Sequence, residues 1–336
     1  MNIFVSIASY RDDKCPTTIK DLYSKAANPS NIFIGLCLQN YEEDVDCFIN
    51  DYADRIKIIK MNAKDAKGPC IARYLCSTLY NGEDYFLQID SHMLFVKDWD
   101  LKFIKMYKEL EKICPKPVIS YYPNDKESDS VSRICKAIID KERNIITFQG
   151  AYLLEKAPNP TISGFVTAGC FFAKGSFLND VSYDPHLADL FTGEEILFSA
   201  RLWTSGWDIF SPNENLLFHA YDRKNNPKFW DEWIGDRNDT NVLHRVRYLL
   251  ELGNINNIPT YLRLDLSKYG MGKVRRLDDY WNFIGFNPDT GEFTKNFCQP
   301  LGYIENFPVK KNKINLWIVI GIIIVFFILC YVIKYY

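Results

Sequence analysis

Tyr85-Phe86-Leu87-Gln88-Ile89-Asp90-Ser91-His92 decides the fold. An apolar run interrupted only by Gln88 reads as a buried strand. It ends by presenting a carboxylate and, two positions on, an imidazole. In open α/β sheets ligands gather beyond the carboxyl ends of the strands. Asp90 and His92 stand at such an end and can hold a divalent cation, which in turn neutralises a diphosphate. An acid after an apolar strand can also do no more than cap the next turn. The Asp-x-His form favours the first reading.

Working outward, strand and helix patterns alternate. Ile3–Ala8, Asn31–Gln39 and Arg55–Met61 read as strands. Thr17–Ala27, Val45–Tyr52 and Cys70–Tyr80 read as helices, the last entered through Gly68-Pro69. Trp99–Ile113 is a further helix stopped by Pro115, and Val118–Tyr121 and Asp208–Ser211 are further strands. Lys126–Ser132 is polar and reads as a loop, and Phe165–Ala173 is an apolar run. Strands alternating with helices across short loops imply an α/β fold, Rossmann-like, with a mostly parallel sheet covered on both faces. Residues 226–308 are rich in aromatics, Asn and Gly and read as an irregular extension packed on that sheet.

The 336 residues carry 40 basic and 42 acidic side chains, a net charge of −2. That balance excludes a general nucleic-acid binder, which needs excess Lys and Arg against phosphates. A mean hydropathy of −0.19 excludes a multispanning membrane protein. It leaves room for one anchor. Leu316–Ile333 is an 18-residue run without a charge, long enough with Ile314 and Asn315 to cross a bilayer as a helix. Trp317 and Tyr331 fall near its ends, where amphipathic rings favour the headgroups.

Lys310, Lys311 and Lys313 precede the run and only Lys334 follows it, so the positive-inside rule places the N-terminal part in the cytoplasm. Met1–Ile7 reads as a strand rather than a secretory leader. The expected organisation is an α/β domain over 1–225, the extension over 226–308, and a basic flank with a single transmembrane helix over 309–336. Subtracting the four lysines of that last segment leaves 36 basic against 42 acidic residues, a net of −6 for the rest. The ten cysteines contain no Cys-x-x-Cys pair, and a cytoplasmic location predicts free thiols rather than disulfides.

Two further segments can carry chemistry. In Thr192-Gly193-Glu194-Glu195 adjacent carboxylates follow a glycine at a helix start, continuing to Arg201 and Trp203. Acids in a first helical turn complement the macrodipole without any other role. A glycine there also lets a ligand come close, and a carboxylate can accept hydrogen bonds from sugar hydroxyls. In Leu216-Leu217-Phe218-His219 a histidine ends an apolar run. A lone histidine is commonly a core residue, but two of the chain's four fall in these segments.

Taken in order with Ser6-Ile7-Ala8-Ser9-Tyr10-Arg11-Asp12 and Gly68-Pro69-Cys70-Ile71-Ala72-Arg73, these segments resemble the polypeptide N-acetylglucosaminyl- and N-acetylgalactosaminyltransferases. They are most similar to the cytoplasmic GlcNAc-transferases that modify hydroxyproline. The likeness covers roughly residues 2 to 225 and rests chiefly on the Asp-x-His and Gly-Glu-Glu pair. It implies a GT-A fold, a UDP-sugar donor, a protein hydroxyl as acceptor, and retention of anomeric configuration. It also implies Mn²⁺, with Mg²⁺ as the alternative, held by Asp90, His92 and His219. Ser9 and Arg11 would lie near the uridine and Arg73 near the nucleotide or pyrophosphate. Ser91 and Gly193 would join the donor site, and Glu194 and Glu195 would serve as the catalytic carboxylates.

The expected C-terminal anchor is not a general feature of the family, and the sequence gives no expectation of the N-terminal anchor or lectin domain of the secreted GalNAc-transferases. The competing expectation is a non-catalytic, tail-anchored adaptor whose aromatic stretch Phe229-Trp230-Asp231-Glu232-Trp233 forms an interface. A metal-dependent nucleotidyltransferase is disfavoured because no Gly-rich phosphate loop is visible.

Overall fold

In the computed structural model, strand β1 (Ile3–Tyr10) is the axis on which the rest is assembled. The structure describes residues 1–298 apart from 48–49, 126–129, 150, 223–225, 233–239 and 254–258. The first half alternates as its apolar runs dictate. β1 is followed by α1 (Cys15–Lys25), β2 (Ile32–Asn40), β3 (Ile56–Asn62), α2 (Gly68–Ser77) and β4 (Tyr85–Asp90). β1 pairs in parallel with both β2 and β4, and β3 extends the parallel set. Buried on both sides, β1 and β4 have no exposed residue to alternate, which is why they read as continuous apolar runs.

The second half is less regular. It contains β5 (Met93–Phe95), α3 (Trp99–Glu111), β6 (Pro117–Ser120), β7 (Ser130–Ile134), β8 (Ala137–Asp140), β9 (Ile145–Phe148), β10 (Ala151–Glu155), β11 (Thr161–Ser163) and β12 (Cys170–Lys174). Then come α4 (Phe177–Asp180), α5 (Glu194–Thr204), β13 (Asp208–Ser211) and β14 (Leu217–His219). The eight-stranded sheet has the order β11-β13-β6-β12-β4-β1-β2-β3. β12 runs against both β4 and β6, and β11 against β13, so the sheet is parallel-rich but mixed. The apolar composition of Phe165–Ala173 does not encode a strand's direction. Alternation along β12 shows that helices cover both faces. Phe171 packs on Phe198 of α5, and its neighbour Phe172 stacks on Phe103 of α3.

Three expectations are corrected. Val45–Tyr52 is not a helix: residues 41–47 form turns and loop, and Asn50–Arg55 is a 3-10 segment broken at Tyr52. Asp44 is drawn inward to accept from the Tyr41 amide and from Arg11, and Cys47 is bonded to Cys15 at the start of α1. The second correction follows from that bond. Cys15–Cys47 and Cys135–Cys298 are disulfides, with Cα atoms 5.3 and 4.8 Å apart, whereas Cys37, Cys70, Cys76, Cys114 and Cys170 are buried thiols. Partners separated by 32 and 163 residues leave no local spacing to read.

Third, the stretch after 226 is not irregular among its described residues. It holds α6 (Phe229–Glu232), α7 (Thr240–Leu249), α8 (Leu266–Tyr269) and α9 (Leu277–Ile284). Val246, Tyr280 and Ile284 share a core with Ile145 of β9 and Ile196 and Ala200 of α5. A buried ion pair, Arg245 with Asp184, ties α7 inward, and Arg245 also donates to the carbonyls of Leu262 and Leu264.

The polar stretch expected as a loop reaches β7 at Ser130, which pairs with β10. The expected membrane span, residues 316–333, lies outside the described residues. Among the described residues no helix is long and apolar enough to cross a membrane.

Candidate active site

β4 ends at Asp90, and the chain turns through Ser91 and His92 into β5. β5 pairs antiparallel with β14 in the register Met93↔His219, and the Ala220 amide donates to the His92 carbonyl. This short ladder brings together two histidines 127 residues apart. Their Nε2 atoms are 2.9 Å apart, and His219 Nε2 lies 3.3 Å from Asp90 Oδ2. Three potential ligand atoms, one from each residue, fall within 4.8 Å of one another. Two imidazoles and a carboxylate suit Mn²⁺ or a similar divalent ion. Burial works to raise the Asp90 carboxyl, but the hydrogen bond from His219 and the charge of Arg73 outweigh it and hold it well below the usual carboxylate range.

Next to this cluster, α5 opens on Gly193. Its φ of +97° is left-handed, and a Cβ there would meet Ile145 Cγ1 at 2.7 Å. Glycine therefore satisfies both the turn and the close approach. The turn delivers Glu194 to Arg73 of α2, whose Nη1 lies 3.0 and 2.9 Å from the two carboxylate oxygens. Arg73 Nη2 reaches Asp90 Oδ1 at 3.4 Å, so one buried guanidinium links the helix start to the end of β4. Desolvation opposes its charge, and the two carboxylates more than offset that.

Glu195 points the other way. It accepts from the Ala168 amide at 2.8 Å and the Tyr122 hydroxyl at 2.5 Å. Burial pushes its carboxyl up to about 7, against the lowering effect of those two donors.

These groups face a cleft of about 480 Å³ at the carboxyl ends of β1, β2 and β4. Arg73, Ser91, Gly193, Glu194 and Glu195 line it together with Asp90, His92 and His219. Ser9 and Arg11 do not. Strand alternation turns Ala8 and Tyr10 to the cleft and buries Ser9 on the other side. Arg11 is held by Asp44 and by Glu232 of α6, with its guanidinium 4.7 Å from the Tyr41 ring centre.

Other cleft residues have no sequence signal of their own. Gln39 is the last residue but one of β2, Tyr122 holds Glu195, and Phe191 packs on Trp230 with ring centres 4.4 Å apart. Asp12 ends the Ser6–Asp12 segment that carries the resemblance but has no role assigned from sequence, and it lies buried against His92.

A parallel-rich α/β sheet with an Asp-x-His at its carboxyl edge and a Gly-Glu-Glu helix start beside it is the arrangement that the resemblance to GT-A glycosyltransferases leads one to expect. The chain belongs to the Glycosyltransferase (GlcNAc) family, whose model matches residues 2–54 and 49–290. No protein of curated function matches it in sequence.

Among solved structures it is similar to GalNAc-T7 with UDP, GalNAc and Mn²⁺, at a TM-score of 0.56 and 14% identity. That likeness covers 80% of this chain and 55% of the other, so it spans little more than half of the larger protein, and it shows the fold. The chain is also similar to S. aureus TarS in complex with UDP-GlcNAc, at a TM-score of 0.45 and 13% identity, over 74% of this chain and 66% of that one.

Proposed function

We propose that this glycosyltransferase moves N-acetylglucosamine from UDP-GlcNAc to a hydroxyl on a protein, with retention of configuration, and that Asp90, His92 and His219 hold a divalent cation, Mn²⁺ first among candidates. The observation that carries this is the convergence of His92 and His219 to 2.9 Å beside Asp90 in the same cleft as Glu194 and Glu195. Two imidazole nitrogens aimed at each other and at a carboxylate form a donor set that a cation completes. The bound cation would supply Lewis-acid stabilisation of the charge that develops on the leaving diphosphate.

The chain's own residues do the rest. The bond from the sugar C1 to the β-phosphate oxygen breaks, and a bond from C1 to the acceptor oxygen forms on the same face. The acceptor proton passes to the departing phosphate oxygen. Such a front-face displacement depends on positioning and preorganised charge more than on a strong base. Arg73 fixes Glu194 for the sugar hydroxyls, and Gly193 and Ser91 line the donor's path. Because Ser9 and Arg11 do not line the cleft, the uridine contact is assigned to Tyr10 and Gln39.

The lysines flanking residues 316–333 support a C-terminal single-pass anchor with the enzyme on the cytoplasmic face. The two disulfides favour an oxidising compartment instead. Protease accessibility of the anchored chain in sealed vesicles decides between them.

The activity is tested by incubating the full-length protein with a panel of UDP-sugars and Mn²⁺ and measuring UDP release. Turnover of UDP-GlcNAc above the others supports the proposal. Release from none of them, by a folded protein, contradicts it.

A further inference from the structure

Asp12 lies in the turn between β1 and α1, with its side chain fully buried beneath the Asp90, His92 and His219 cluster. Its Oδ1 accepts from the Lys14 amide at 3.1 Å, anchoring the entry to α1. Its Oδ2 accepts from the Ser91 hydroxyl at 2.6 Å and lies 2.7 Å from His92 Nδ1. An ionised carboxylate only accepts, so His92 Nδ1 must be the donor in that contact. The imidazole then carries its proton on Nδ1 and turns the lone pair of Nε2 towards His219 and Asp90.

The opposite histidine is consistent with this arrangement. In the metal-free protein a lone pair on His92 Nε2 makes His219 Nε2 the protonated partner at 2.9 Å, and that proton, which a bound cation would replace, also faces the Asp90 carboxylate 3.3 Å away. His219 Nδ1 is then the unprotonated nitrogen, and it is buried without a hydrogen-bond partner among the described residues. An orphaned acceptor is a lesser defect than an orphaned donor. Donor and acceptor roles therefore run in one direction from Asp12 through His92 to His219.

We propose that Asp12 is a positioning residue that fixes His92 in its Nδ1–H form and holds the Nε2 lone pair ready for the cation. Carboxylates behind metal-binding histidines set tautomer and orientation in this way. The inference rests on the proposed metal site, but its central statement concerns the metal-free protein.

Asp12→Asn is the informative substitution. The Lys14 amide can only donate, so the new side-chain oxygen stays on it and the NH2 group faces His92 and Ser91. Both can turn acceptor, Ser91 by rotating its hydroxyl and His92 by moving its proton to Nε2. That movement places a hydrogen where the lone pair was.

The test uses the full chain labelled with ¹⁵N-histidine, without metal, with His92 assigned by the signal lost in His92→Gln. The expected spectrum shows His92 protonated at Nδ1 in the wild type and at Nε2 in Asp12→Asn. Free Mn²⁺, followed by its paramagnetic resonance, should report an affinity about 10- to 100-fold weaker in Asp12→Asn. A wild-type His92 protonated at Nε2 overturns the proposal, as does Asp12→Asn binding Mn²⁺ within about twofold of wild type. If Asp12→Asn does not fold, the wild-type tautomer alone decides. A wild type that binds no Mn²⁺ yet shows the Nδ1–H form removes the metal reading and leaves the role of Asp12 in orienting His92 standing.

Discussion

His92 Nε2 lies 2.9 Å from His219 Nε2 because β5 and β14 pair Met93 with His219. His219 stands on a ladder of three residues per strand outside the eight-stranded sheet, and Asp90 is the last residue of β4, so truncating either side chain leaves the backbone pairing of the sheet in place. His219→Ala and Asp90→Ala are expected to lower UDP release from UDP-GlcNAc by at least about 100-fold, with a melting temperature within a few degrees of wild type. Near-normal turnover in either folded variant would remove these residues from the chemistry.

Glu195 should leave a mark on stability against pH. Its carboxyl is raised from an ordinary 4.5 to about 7, so between those values the folded state holds a proton that the unfolded state has released. Stability from this group is present at low pH and falls as pH rises towards about 7. Glu195→Gln keeps an acceptor for the Ala168 amide and can donate to the Tyr122 oxygen. The variant should therefore melt at about the wild-type temperature near pH 5 and several degrees higher near pH 8. Parallel curves across that range would show that Glu195 is not held as described.

Gly193→Ala combines a left-handed φ of +97° with a Cβ 2.7 Å from Ile145 Cγ1. A loss of about 2 kcal/mol or more is expected in urea unfolding. Catalysis should fall further than stability explains, since the same turn sets Glu194 against Arg73. Full activity with unchanged stability would mean that the turn tolerates a side chain.

The Cys135–Cys298 bond joins the end of β7 to a segment 163 residues later. Cys298→Ser is expected to cost about 2–5 kcal/mol in unfolding free energy. Mass spectrometry of alkylated, unreduced protein should show Cys15, Cys47, Cys135 and Cys298 protected. Alkylation of all four in the folded chain would restore the free-thiol expectation.

Much of the sheet was legible in sequence because β1, β2 and β4 are buried apolar runs whose length and flanking turns leave little choice. The Asp-x-His at the end of β4 was legible for the same reason, since a buried strand fixes where its last residue and the turn beyond it must stand. Ser9 and Arg11 illustrate where that reasoning stopped. A two-residue period sends Ala8 and Tyr10 to the cleft, but a strand buried on both faces gives no polar alternation to say which set faces it. Asp12 was one acid of a surface-like Arg-Asp-Asp, and only the tertiary fold puts it behind His92. The cysteine partners were hidden likewise, because they are set by packing and not by spacing.

Metal dependence of donor turnover tests the central claim most directly. UDP release from UDP-GlcNAc by the wild-type chain should vanish on chelation, return on adding Mn²⁺, and fail to return in His219→Ala. Undiminished turnover by chelated, metal-free wild-type protein would contradict the account.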